Sequence, residues 1–267
     1  MERKTLAIVG CGKLASIIAD ALNANLLPEY QLIATYSRSI EKAQNIANKV
    51  NNESQKDSPC KACNSLEELL ASEANYIIEA ASPDSMRTLA LPALKNGSSI
   101  VTLSIGAFAD EEFYEEVKRT ALANNARVHL VSGAIGGFDV MRTAALMGNC
   151  TATFDTEKGP NSLKRYSVYD ESLQTEKRKV FEGNAKEAIA LFPNSVNVSV
   201  AASLASVGPE KMKVSVTSTP GYIGDNHRIE VKNEQVHAVI DVYSSTAQIA
   251  GWSVVNTLRN IVSPIVF

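Results

Sequence analysis

A glycine-rich turn near the start of the chain constrains the fold more than any other feature of the sequence. Gly10-Cys11-Gly12-Lys13-Leu14-Ala15 is a GxGxxA motif between an apolar strand-like run, Leu6–Val9, and a helical pattern, Leu14–Leu22. The first glycine permits a tight turn, the second lets backbone approach a pyrophosphate, and the small Ala15 lets the helix pack closely on the strand. The helix N-terminus then offers unpaired N–H groups to the phosphates. In this context the motif predicts a dinucleotide site that includes Gly10, Gly12, Lys13 and Leu14.

The rest of the first half repeats this strand–helix alternation up to Arg127–Ser132. Such repeats predict a parallel sheet with helices on both faces. Beyond Gly133 the pattern changes to polar-alternating strands and short turns, which is typical of a mixed sheet. We therefore predict an α/β chain, with a Rossmann-type doubly wound parallel sheet and a second α+β domain that contains a mixed sheet. The first domain is predicted at residues 1–132 with the C-terminal helix 246–267, and the substrate-binding or dimerisation domain at 133–245.

Within the second domain the alternation of polar and apolar residues predicts individual strands and two helices. The strands are expected at Thr151–Phe154, Lys164–Tyr169, Lys179–Phe181, Lys213–Thr217, Arg228–Lys232 and Val236–Val242, and the helices at Asn184–Phe192 and Val196–Val207.

Composition excludes several classes of function. The chain has 267 residues, 45% of them hydrophobic, and a net charge of -3, which argues against non-specific binding to nucleic acid or a membrane surface. No apolar run reaches the ~18 residues that cross a bilayer, and the N-terminus lacks a signal-peptide pattern, so a cytoplasmic protein is expected. Cys60 and Cys63 form a CxxC, but no second pair completes a zinc site, and no metal is predicted.

The residues after the second strand bear on the choice of cofactor. An Asp or Glu there would accept a hydrogen bond from the 2′-hydroxyl of NAD, but this chain has Tyr36-Ser37-Arg38-Ser39. Arg38 and Ser37 suit a 2′-phosphate, which favours NADP over NAD. The alternative is that Arg38 is a solvated loop charge.

Two later strand ends are predicted to border the nicotinamide. They carry Ser82 with Pro83, and Gly106 with Ala107. The alternative for these positions is ordinary turn chemistry.

Several segments, taken in order along the chain, resemble the L-aspartate dehydrogenase family. They are Ala81–Asp84, Gly106–Asp110, Ser132–Asp139, Phe181–Ala185, Phe192-Pro193, Asn197-Val198 and Asp225-Asn226-His227. The resemblance implies a dinucleotide-binding domain followed by an α/β substrate domain, a homodimer, and oxidation of L-aspartate with NAD or NADP. The imine product would give oxaloacetate and ammonia, or enter NAD biosynthesis. It also implies that His227 is the catalytic residue and that Asn226 contacts the substrate.

The sequence departs from the family in the predicted substrate domain. Ser195 replaces one asparagine of the family's FPxNxN pattern, Thr219-Pro220 replaces Asp-Pro, and Lys158-Gly159-Pro160 replaces Lys-Pro-Pro. The lysine of a C-terminal Asn-Pro-Lys-Thr-Ser element is missing from Tyr243–Ala247. These changes make cofactor use a firmer expectation than aspartate as the substrate.

The candidate substrate residues have structural alternatives. A histidine suits proton transfer near neutral pH, and Asp225 is expected to orient His227 in the glycine-rich loop 221–226, where the alternative is a solvated loop histidine. Gly133, Ala134, Ile135 and Gly136 would offer backbone N–H groups to a carboxylate, or form a hinge. Asn197 would hold a carboxylate or cap the helix that follows.

Two other functions remain open. One is a dehydrogenase for another small amino or keto acid, motivated by the changes in the substrate domain. The other is a sensor that binds NAD(P) without turnover.

Overall fold

The computed structural model describes residues 3–55, 59–193 and 195–266, and these divide into two compact units. The first unit comprises Met1–Ala107, Glu111–Val131 and Ala250–Phe267. The second unit comprises Phe108–Asp110 and Ser132–Ile249. No helix in the described residues is both long enough and apolar enough to cross a membrane.

The first unit is built on a six-stranded parallel sheet. Its strands are β1 (Lys4–Val9), β2 (Tyr30–Tyr36), β3 (Lys61–Cys63), β4 (Tyr76–Glu79), β5 (Ser99–Thr102) and β6 (Val128–Leu130). Its helices are α1 (Lys13–Asn23), α2 (Ile40–Asn51), α3 (Leu66–Leu70), α4 (Pro83–Lys95) and α5 (Glu111–Ala123). The strand order is β3-β2-β1-β4-β5-β6, which is the order of a Rossmann sheet and reverses direction between β1 and β4.

The last helix of the chain belongs mainly to this first unit. Helix α9 (Gln248–Val262) contributes Val254, Val255 and Leu258 to the same buried cluster as residues of β1, α1 and α2. The Tyr30 hydroxyl donates a 2.8 Å hydrogen bond to the Leu258 carbonyl. Gly251 allows a close approach, since a Cβ there would lie 2.7 Å from Cδ1 of Ile17. The unit is thus completed by residues far apart in sequence.

The second unit is built on a five-stranded mixed sheet. Its strands are β7 (Thr151–Lys158), β8 (Arg178–Asn184), β9 (Lys213–Ser218), β10 (Asp225–Lys232) and β11 (His237–Ser244), in the order β11-β10-β7-β9-β8. Its helices are α6 (Phe138–Leu146), α7 (Ala185–Leu191) and α8 (Asn197–Leu204). Strands β7 and β9 are parallel and the other pairs are antiparallel. The predicted fold class is therefore confirmed.

One predicted strand is wrong, one short strand was not predicted, and one predicted loop lies partly outside the described residues. The alternation of Lys164–Tyr169 predicts a strand, but this segment forms turns after a 3-10 helix, Pro160–Leu163. The N–H groups of Tyr166 and Tyr169 donate to carbonyls three residues earlier instead of to a neighbouring strand. The short strand β3 was missed, since three residues are too few to show a period. The polar composition of Asn51–Ser58 predicts a surface loop. This stretch begins with the last residue of α2 and a turn, and residues 56–58 lie outside the described residues.

Candidate active site

The phosphate-loop motif forms a close contact between two strand ends. Gly10 has φ +93°, and a Cβ at this position would lie 2.7 Å from the backbone of Ala80 and Ala81, which follow β4. Glycine is required here both for the backbone conformation and for the space. Gly12 is different, because a Cβ there would meet nothing within 4 Å.

A cavity of about 620 Å³ opens beside this turn, within the first unit. It lies outside the carboxyl ends of β1 and β4, where the strand order reverses and where ligands of such sheets bind. Gly10, Gly12, Ser37, Arg38 and Ser82 from the predicted set all line it. Sequence reasoning did not select Lys42, Asn64, Ser65, Glu67 and Asp84, which also line it.

The residues present fit a dinucleotide. Gly12 is the N-cap of α1 and makes no side-chain capping hydrogen bond, so backbone N–H groups of the first turn are the natural partners for a phosphate. The open space at Gly12 leaves room for a phosphate group at this helix N-terminus.

The other predicted cofactor residues do not line this cavity. Lys13 and Leu14 begin α1, and Pro83 is the first residue of α4. Ser82 lines the cavity but also caps α4, accepting a hydrogen bond from the Ser85 N–H. Gly106 and Ala107 lie in a 3-10 helix, Ile105–Ala109, with Ala107 buried.

A buried carboxylate holds the strand end that carries Ser82. Glu79, the last residue of β4, has no exposed surface. It accepts hydrogen bonds from the N–H groups of Ala81 and Ser82, at 2.9 and 3.0 Å, and from the Thr102 hydroxyl at 2.8 Å. Burial nevertheless raises its pKa above the ordinary value. Sequence reasoning missed Glu79 because its neighbours form an apolar strand.

In the second unit, His227 is not in a loop as expected, but is the third residue of strand β10. It is 2% exposed, so it is not a solvated histidine. Its Nδ1 forms a 2.9 Å hydrogen bond with the Thr156 hydroxyl of β7, and its ring lies 5.5 Å from that of Phe154. Strand β10 was expected to begin at Arg228, but its pairing with β7 begins at Asp225. The glycines before Asp225 indicate a loop and give no sign of this pairing.

Asp225 makes an ion pair instead of a hydrogen bond to the histidine. Its carboxylate lies 2.8 Å from Nζ of Lys158, which is 3% exposed. Burial first, and then the charge of Lys158, lower the pKa of His227 to about 4, while Asp225 opposes this shift. At neutral pH the imidazole is therefore uncharged.

These four side chains form two neighbouring cross-strand pairs. Asp225 is paired with Lys158, and His227 with Thr156. The pairs are two residues apart on each strand, which corresponds to about 7 Å on the same face of the sheet. Thr156 and Lys158 were not selected from the sequence, although the alternation of β7 places both on its buried face.

The remaining predicted substrate residues are dispersed within the second unit. Asn226 alternates to the face of the sheet opposite His227. Asn197 is the first residue of α8, whose N-cap is Val196, so it is not the capping residue. Gly133 has φ +60°, and a Cβ there would lie 3.0 Å from Val198. Gly133, Ala134, Ile135 and Gly136 precede α6, whose N-cap, Gly137, makes no side-chain capping hydrogen bond.

Two protein-family models match this chain, one before and one after residues 132–138. Residues 10–131 match the family described as homoserine dehydrogenase, NAD binding domain. Residues 139–261 match the family described as aspartate dehydrogenase, C-terminal.

Individual relatives match along nearly the whole chain. The L-aspartate dehydrogenase of Methanococcus maripaludis strain C5 is 30% identical over 271 residues, covering 97% of both chains. That of Methanosarcina mazei is 30% identical over 272 residues, again covering 97% of both. The crystal structure of aspartate dehydrogenase from Thermotoga maritima has a TM-score of 0.77 and 26% identity, with full coverage of both chains. The WlbA dehydrogenase of Bordetella pertussis, in complex with NADH, shares the fold alone, with a TM-score of 0.56 and 13% identity over 96% of this chain and 83% of that one.

Proposed function

Because this chain belongs to the L-aspartate dehydrogenase family, we propose that it catalyses the NAD(P)-dependent oxidation of L-aspartate to iminoaspartate. Hydrolysis of the imine gives oxaloacetate and ammonium, and the reverse amination uses the same groups. The observation that carries the proposal is the buried His227 beside Thr156 and the Lys158–Asp225 ion pair.

His227 is proposed to accept the proton that the substrate ammonium must lose. The tautomer that leaves Nε2 free to accept it has the Nδ1–H donating to the Thr156 hydroxyl. The hydrogen bond to Thr156 therefore orients the imidazole ring. When bound, a nicotinamide cofactor would supply the two-electron oxidant that this reaction needs.

The charge of the bound substrate is expected to tune this base. In the free protein the low pKa of His227 makes it a weak acceptor. Carboxylates that pair with Lys158 would offset its positive charge, and the pKa of His227 would then rise towards neutrality.

The direct experiment follows absorbance of reduced cofactor in both reaction directions. The purified protein is incubated with L-aspartate and NAD or NADP, and separately with oxaloacetate, ammonium and the reduced cofactors. We expect turnover by the wild type and a loss of at least about 100-fold in kcat for His227→Asn, since general base catalysis contributes 10²–10⁴-fold. Full activity of His227→Asn would remove the histidine from the mechanism, and no turnover by the wild type with either cofactor would reject aspartate as the substrate.

For the cofactor itself we propose a preference for NADP. Arg38 and Lys42 bring two cations to the cavity at the end of β2, and Ser37 adds a hydroxyl. Glu67 and Asp84 also line the cavity, so the preference depends on which charges lie nearest the 2′-position. We expect Arg38→Ala to weaken NADP binding by roughly tenfold or more while NAD binding changes little. Equal losses for the two cofactors in fluorescence titrations would contradict the preference.

We also propose that the protein is a homodimer. The supporting observation is that β11 is an edge strand of the second sheet and exposes Val239 and Tyr243, and such edges are usually paired or covered. Light scattering coupled to gel filtration would test this, with Val239→Asp expected to yield monomers. A wild type that is monomeric at all concentrations would contradict it.

A further inference from the structure

A second cavity, of about 480 Å³, lies within the second unit and carries an excess of positive charge. Lys158, Lys164 and Arg165 line it, together with Ser195 and the single carboxylate of Asp225. Asp225 is already paired with Lys158. Among residues 3–55, 59–193 and 195–266, neither Lys164 nor Arg165 has a carboxylate within ion-pair distance.

Arg165 is held in place by neutral groups. Its Nη2 donates a 3.1 Å hydrogen bond to the Ser195 hydroxyl, which also forms a 2.6 Å hydrogen bond with the Tyr166 hydroxyl. The guanidinium lies 5.1 Å from the centre of the Tyr166 ring. These contacts fix the orientation of the charge without neutralising it.

The neighbouring cations also repel each other. Burial first, and to a lesser extent the charge of Arg165, lower the pKa of Lys158, while Asp225 opposes them. An anion between Lys158 and Arg165 would relieve this repulsion, and a carboxylate matches the forked geometry of a guanidinium.

We propose that this cavity binds the side-chain carboxylate of a dicarboxylic amino acid, and that Arg165, oriented by Ser195, is the residue that selects it. The inference rests on the proposed function, because it takes the substrate to react beside His227. The Lys158–Asp225 pair lies one cross-strand step, about 7 Å, from the His227–Thr156 pair. The carboxylate that reaches the cavity is thus the one further from the reacting nitrogen.

The test measures binding separately from turnover. Succinate and butanoate, which have four carbons each but two and one carboxylates, are titrated into the full-length protein by calorimetry. We expect the wild type to bind succinate at least tenfold more tightly than butanoate, and Arg165→Met to weaken succinate binding roughly ten- to hundredfold without affecting butanoate. Ser195→Ala should cause a smaller loss of the same kind. Arg119→Met, on the exposed face of α5, is the matched control and should behave as the wild type.

Kinetics distinguish a failure of this inference from a failure of the proposed function. If L-aspartate is turned over, Arg165→Met should raise its KM at least tenfold while the KM for the cofactor stays unchanged. Equal binding of succinate and butanoate by the wild type, or unchanged succinate binding by a folded Arg165→Met, would overturn the inference. If Arg165→Met does not fold, Ser195→Ala and Lys164→Met decide in the same titration. A preference for succinate that depends on Arg165, without turnover of L-aspartate, would support the carboxylate site and reject the proposed reaction.

Discussion

At the scale of single residues, the burial of His227 makes protein stability depend on pH. The pKa of His227 is about 4 in the folded protein and about 6.5 in an unfolded chain. Between these values the unfolded chain binds more protons, so the contribution is complete above pH 6.5 and is lost as the pH falls towards 4. We expect the wild type to lose up to about 3 kcal/mol more than His227→Asn over this range, since one pKa unit corresponds to 1.36 kcal/mol. Urea unfolding of both proteins at pH 7.5, 6, 5 and 4 would measure it, and parallel curves would show that folding does not lower the pKa of His227.

The same burial predicts a difference between two kinetic profiles. The kcat/KM profile reports the free enzyme, and kcat reports the complex with substrate. Because the pKa of His227 is about 4 in the free protein, we expect kcat/KM to show no fall in activity near pH 6.5. In the complex, the substrate carboxylates offset the charge of Lys158 and raise the pKa of His227, so kcat should fall at a higher pH than kcat/KM does. An acidic limb of kcat/KM centred near 6.5 that disappears in His227→Asn would contradict this interpretation.

At the scale of elements, the turn from β1 to α1 offers two glycines with opposite consequences. Gly10→Ala places a Cβ 2.7 Å from Ala80 and Ala81 at a positive φ, so we expect it to lower stability by about 1–3 kcal/mol. Gly12→Ala has room and ordinary φ, so its stability should change by less than about 1 kcal/mol. It should nevertheless weaken dinucleotide binding, because its methyl group occupies the space at the helix N-terminus. Thermal unfolding with cofactor titration tests both variants, and tight NAD(P) binding by Gly12→Ala would place the pyrophosphate elsewhere.

The sequence predicted elements well where a period was long enough to read. The apolar spacing of Pro83–Lys95 and the Asn96-Gly97 that follows it predict this helix with the bounds that the structure shows. The phosphate-loop residues could be identified because the conformation of this turn depends on residues 10–15 themselves. By contrast, the surroundings of His227 depend on which strand pairs with β10. Thr156, Lys158 and Arg165 lie some 60 to 70 residues away in sequence, and no local pattern encodes that pairing.

At the scale of the whole molecule, the first unit depends on a close contact between α1 and α9. A Cβ at Gly251 would lie 2.7 Å from Cδ1 and 3.2 Å from Cβ of Ile17. We expect Gly251→Val to lower stability by about 1–3 kcal/mol through overpacking, although valine has a better helix propensity than glycine. Asn256→Val, at an exposed position of the same helix, is the control and should be nearly neutral. Thermal unfolding compares them, and equal stability would show that the two helices adjust without cost.

The discontinuous first unit also has a consequence for how the protein is made. Its sheet is encoded before residue 132, but helix α9, which covers part of its core, begins only at Gln248. A ribosome therefore exposes the first six strands while more than a hundred residues remain to be translated, and the apolar surface destined for Val254, Val255 and Leu258 stays uncovered during that interval. The second unit, apart from Phe108–Asp110, is continuous in sequence and can be complete earlier. In the cell, the part of the chain that emerges first is the last to be finished, and it is the part for which a chaperone would matter most.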